Sequence, residues 1–193
     1  MKTEVIVVSS KGNGMDLALN HVDELVTQLG LNPKDTMHLR LLVEEMLNLV
    51  RSIIGQLECK FWIETTDERY QLHLQTMTLL DREQRKQLIS TSTRGKNEAH
   101  RGIMGKLRAF FEPLPIDDTP EYLLDTIDTM ENGDLIWSLD AYRERLRKKK
   151  DTAAGAQEEW DELEKSLVSH LADNIQVSIS GYELNLIIYK KIN

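Results

Sequence analysis

Residues 33 to 55, PKDTMHLRLLVEEMLNLVRSIIG, carry the clearest helix signals in the chain and constrain what can form around them. Asn32 supplies a cap, Pro33 is tolerated at the first helical position, and Gly55 suits a left-handed stop after the last turn. Between them Leu39, Leu42, Val43, Met46, Val50, Ile53 and Ile54 recur at steps of three and four. That spacing makes one apolar face at about 3.6 residues per turn, and such a face needs a core to cover it. Glu44 and Asn48, four residues apart, project together from the other side, where they either serve a site or face water.

The flanking sequence supplies strands and further helices. TEVIVV, residues 3 to 8, is a β-branched run ended by SSKGNG, which reads as a strand and a turn. Met15, Ala18, Leu19, Val22, Leu25, Val26 and Leu29 predict a helix stopped at Gly30. After the anchor helix, LECKFWIETT and RYQLHLQTMT flank Asp67 and Glu68 as an antiparallel hairpin, with Leu72 and Leu74 on one face. Residues 81 to 92 are charged and helix-compatible. A further helix starts near Glu98, buries Ile103, Met104, Leu107, Phe110 and Phe111, and closes at Pro113 and Pro115. Gly102 and Gly105 in its first half each cost up to about 1 kcal/mol relative to Ala, so a site there would explain the missing side chains.

Residues 114 to 155 read as a helical insertion in which Ser138 caps a helix with the stripe Leu139, Tyr142 and Leu146, docked by Trp137. Trp160, Leu163, Leu167 and Leu171 mark the next helix, and NIQVSIS-GY-ELNLIIYKK a hairpin around Gly181. The expected architecture is a single α/β two-layer sandwich over residues 1 to 193, a mostly antiparallel sheet covered by helices on one face.

Composition narrows the function classes. A chain of 193 residues buries roughly 70% of its unfolded surface without staples. Its single cysteine, Cys59, rules out an intrachain disulfide and suits a reducing cytoplasm. MKTEVIVVSS has too short an apolar run for a signal peptide, and nowhere do about 18 apolar residues run on, so no membrane span is expected. With 24 lysines and arginines against 32 aspartates and glutamates, the net charge of −8 argues against broad nucleic-acid binding. The histidines lack metal-ligand spacing, and the serines lack a Gly-x-Ser-x-Gly elbow. Arg143, Arg145, Arg147, Lys148, Lys149 and Lys150 form a basic run without the aromatic residues of a base-stacking surface, which favours a solvated helix end.

The run Glu44-Glu45-Met46-Leu47-Asn48 has the Glu-x-x-x-Asn spacing of the N box in the histidine-kinase-like (GHKL) ATPase superfamily. The element order over residues 1 to 112 and 160 to 191, including the closing SLVSHLADNIQVSISGYELNLIIYKK, resembles the anti-sigma-factor serine kinases in particular. That resemblance implies a Bergerat-type fold and a cytoplasmic regulatory protein that binds ATP and magnesium. It implies Glu44 as catalytic base and Asn48 as magnesium ligand, and a sigma factor or anti-anti-sigma-like protein as partner. Asp81 or Thr76 stands nearest to the family's adenine-reading aspartate, although the family's Asp-x-Gly-x-Gly is replaced here by Thr76-Met77-Thr78-Leu79-Leu80-Asp81-Arg82. Gly102, Gly105 and Lys106 are the nearest match to its second glycine box, and with Lys96 they would form a lid over an anion. Neither Gly-Lys pair completes a phosphate loop. The alternative is a non-catalytic protein interaction module on the same fold, with nucleotide binding lost.

Overall fold

One row of side chains fixes the layering. Ile6, Phe61, Leu74, Leu186, Val177 and Trp137 stand opposite one another across six adjacent strands, and all are buried. The computed structural model describes residues 1–53, 56–66, 68–77, 102–111, 127–130, 134–149 and 156–192. In chain order the elements are β1 (Ile6–Ser9), α1 (Met15–Leu29), α2 (Pro33–Ser52), β2 (Glu58–Thr65), β3 (Arg69–Met77) and α3 (Gly102–Phe111). They continue as β4 (Ile127–Thr129), β5 (Leu135–Ser138), α4 (Leu139–Lys149), α5 (Ala156–Lys165), α6 (Leu167–Leu171), β6 (Asn174–Ser180) and β7 (Glu183–Lys191).

Among the described residues the strands form one seven-stranded antiparallel sheet in the order β1-β2-β3-β7-β6-β5-β4. Because strand side chains alternate, the next row (Val7, Lys60, Gln75, Asn185, Ser178, Ile136) points the other way, and none of its members is buried. The buried rows meet the apolar faces of the helices in one core cluster, so the expected α/β arrangement is present. Among the described residues no helix is long and apolar enough to cross a membrane.

Local chemistry explains the best-defined ends. Asn32 Oδ1 accepts from the Asp35 backbone N–H at 2.9 Å, and its amide donates to Asp35 Oδ2 at 2.7 Å, so α2 starts on a reciprocal cap. Gly14, at φ +76, precedes α1, and a Cβ there would sit 2.0 Å from the Val7 carbonyl oxygen. Only glycine lets β1 and the start of α1 come that close.

Three expectations change. α2 ends at Ser52 with Ile53 extended beyond it, and Gly55, read as its stop, lies outside the described residues. The helix expected through Trp160 and Leu171 is two helices. Ser166 breaks it and caps α6, so Val168 is buried and Leu167 is 43% exposed. Finally, residues 135 to 138 are not the approach to an inserted helix but a strand paired with β6, which makes this part of the expected insertion integral to the sheet. Its helix is as expected: Ser138 Oγ accepts from Ala141 N at 3.3 Å, and Tyr142 lies 6.1 Å from Trp137, ring to ring. The charged segment 81 to 92 lies outside the described residues.

Candidate functional site

α2 is covered on several sides, since α1, β1, α3 and α6 all pack against it. Leu47 and Leu49 are therefore buried along with its main apolar face. Where α2 and α3 part, they leave a cleft of about 250 Å³. Glu45, Asn48, Leu49 and Ser52 line one wall, and Met104, Gly105 and Arg108 the other. The α2 members follow a single helical row, with steps of three and four from Glu45 to Asn48 to Ser52. Across from them the wall at Gly105 is bare backbone.

The cleft offers a carboxylate, an amide, a hydroxyl and a guanidinium beside the apolar surfaces of Leu49 and Met104. Ser52 Oγ is directed back to its own helix, donating to the Leu49 carbonyl at 2.8 Å. An amide oxygen next to a carboxylate suits a hard cation, which commonly takes one or two protein ligands and completes its shell from phosphate and water. A guanidinium suits phosphate oxygens through paired donors. Asn48 and Glu45 are thus residues of the kind that could hold a hard cation, and Arg108 is of the kind that meets an anion.

The residues singled out from sequence are partly brought together. Asn48 and Gly105, from different helices, share the cleft, and Gly102 opens the helix that carries Gly105. Glu44 does not line it: its carboxylate accepts from Arg40 Nε at 3.3 Å, and Arg40 Nη1 donates to Asp23 Oδ1 of α1 at 2.9 Å. Lys106 does not line it either. Its side chain is 3% exposed, with Nζ 3.6 Å from Glu159 Oε2 and 4.9 Å above the Tyr142 ring. Burial lowers its amine below the usual lysine value, against the opposing pull of Glu159 and Glu162. Thr76 is buried in β3, where its hydroxyl donates to the Glu58 carbonyl at 2.7 Å. Asp81 and Lys96 lie outside the described residues. Glu45, Ser52 and Arg108 escaped the sequence reading; the helical row through Asn48 is the signal that could have found the first two.

Several other polar groups tie elements together or lie on the surface. Arg143, the first of the basic run, donates to the Asp173 carbonyl at 3.1 Å and to Ser169 O, tying α4 to α6 and the turn after it. Lys148 pairs with Glu144 at 2.8 Å. On the open sheet face Trp62 stacks on His73 with centroids 4.7 Å apart, and Lys2 lies over the indole at 4.6 Å. Among the described residues no group of three or more His, Cys, Asp or Glu side chains converges as a metal site. No family model, curated protein or solved structure matches this chain.

Proposed function

We propose that this protein is a cytoplasmic nucleotide-binding regulatory module of the anti-sigma-kinase type, which holds ATP and magnesium at the α2–α3 cleft and transfers phosphate poorly or not at all. One observation carries the reading: Asn48 and Gly105, 57 positions apart, line the same cleft, as the resemblance to histidine-kinase-like ATPases requires of an N-box asparagine and a glycine-box helix. In this proposal Asn48, with Glu45 beside it, is the magnesium-side ligand and Arg108 the phosphate-side cation. The weak chemistry follows from Glu44, which is not among the residues that line the cleft. The regulated partner would be a sigma-factor or anti-anti-sigma-like protein.

Thermal unfolding with ATP and magnesium tests it. Ligand at 100 times its dissociation constant raises stability by about 2.7 kcal/mol, and Asn48→Ala is expected to lose that gain. No shift at millimolar nucleotide would overturn the proposal. That outcome would leave the second reading, a protein interaction module without nucleotide, which the engagement of Glu44 and the missing glycine boxes favour.

A further inference from the structure

The helix α3 shows three distinct sides. At about 100° per residue, Met104, Gly105 and Arg108 occupy one arc, Ile103, Leu107, Phe110 and Phe111 a second, and Lys106 lies roughly opposite the first. The first arc faces the cleft, and the second is buried in the core. Lys106 meets α4 and α5 through Tyr142 and Glu159. We infer that Lys106 is a positioning residue that sets the rotation of α3, and so the presentation of Gly105 and Arg108 to Asn48.

The physical reason is directionality. Apolar contacts let a helix roll through a modest angle with little loss of buried area, because the hydrophobic term is non-directional. A buried ammonium has no such latitude: separating it from its carboxylate leaves an uncompensated charge in a low-dielectric setting. The acceptor is itself fixed. Glu159 Oε2 also accepts from the Tyr142 hydroxyl at 2.8 Å, and the Tyr142 ring packs 6.1 Å from Trp137, which in turn lies 6.0 Å from Phe110 of α3. The chain of contacts therefore leaves α3 at Lys106 and returns to it at Phe110. The burial that lowers the Lys106 amine, with Glu159 and Glu162 facing it, is the expected electrostatic mark of such a post. It follows that α4 and α5 govern the cleft although neither lines it.

This inference rests on the proposed nucleotide site, so the experiment reads α3 with and without ligand. Lys106→Met keeps the apolar stem and removes the charge, and Glu159→Gln weakens the acceptor. Amide exchange over residues 102 to 111 without nucleotide is expected to quicken roughly tenfold in Lys106→Met, with β2 and β3 unchanged. Affinity for ATP with magnesium, measured by calorimetry, is expected to fall about fivefold or more, and the melting temperature to fall with it, because the Glu159 carboxylate loses its cation. Wild-type exchange together with wild-type affinity in folded Lys106→Met would overturn the role. Should that variant not fold, unchanged exchange in Glu159→Gln would overturn it equally. If the wild-type protein binds no nucleotide, the proposed function falls, and the exchange comparison alone decides the role of Lys106.

Discussion

The Arg40 guanidinium donates to the Glu44 carboxylate through Nε at 3.3 Å and to Asp23 of α1 at 2.9 Å, so Glu44 meets the α1 side of the anchor helix through one shared cation. Both contacts are substantially exposed, with side-chain exposures of 41% to 54%, so each is weak. Arg40→Ala and Glu44→Ala should each change stability by no more than about 1 kcal/mol in chemical denaturation. Glu44→Ala should also leave the nucleotide-induced thermal shift intact. A lost shift in that variant would return Glu44 to the site.

Trp137→Ala tests whether residues 135 to 149 belong to the main cooperative unit. Trp137 is 1% exposed and packs between Phe110 and Tyr142. Its removal should cost about 3–5 kcal/mol within a single unfolding transition followed by circular dichroism. A separate early transition would mean that β5 and α4 form an appendage after all.

Acid should weaken the fold through His73. Its side chain is 12% exposed, its Nε2 has no hydrogen-bond partner among the described residues, and burial lowers its pKa below the ordinary 6.5, with the Glu64 carboxylate pulling the other way. A depressed histidine binds fewer protons folded than unfolded, so stability is full above 6.5 and is lost as pH falls through the folded-state value. Glu64, held low first by the Trp62 N–H and then by Lys2, titrates below 4.5 and so acts at more acid pH. Denaturation midpoints in steps from about pH 7 to pH 5 should decline, and His73→Phe, which keeps a ring on Trp62, should flatten that part of the curve. An unchanged slope in the variant would assign the decline to other groups.

Cys59 should be silent toward alkylation in the native state. Burial pushes its thiol up to about 12, against a smaller opposing hydrogen bond with Thr76, and the residue is 2% exposed. Thiolate is the reactive form, so iodoacetamide modification at neutral pH should follow unfolding, and its rate should track denaturant concentration. Rapid modification of the folded protein would mean that the end of the sheet at β1, β2 and β3 opens locally.

Elements with a sustained period and clear punctuation were legible in the sequence: α1 between its glycines, α2 from its Asn-Pro start, and the two hairpins. Strand β5 was not, because four residues, Leu-Ile-Trp-Ser, run directly into the cap of α4, and so short an apolar run has no period of its own. The break at Ser166 carries no glycine or proline. Leu47 and Leu49 lie on opposite flanks of the helical stripe, about 200° apart, and are buried because elements pack against α2 on several sides. The candidate site divides in the same way. Asn48 could be read from spacing, whereas Arg108 needed the placement of α3. Lys106 was misleading because its neighbour Gly105 faces the cleft, and one helical step of about 100° carries the lysine round to α5.

The central ladder of the sheet joins β3 to β7 from Arg69↔Lys191 to Met77↔Glu183, and the Gln75 and Asn185 side chains bond across it at 3.1 Å from positions 110 residues apart. During synthesis, then, β3 waits as an open edge until β7 has left the ribosome. Pairing across so long a separation is slow, and an unpaired strand invites other chains. The nascent protein should be a good client for a chaperone that shields the β2–β3 hairpin, and release should coincide with the arrival of the final hairpin rather than with formation of the helices.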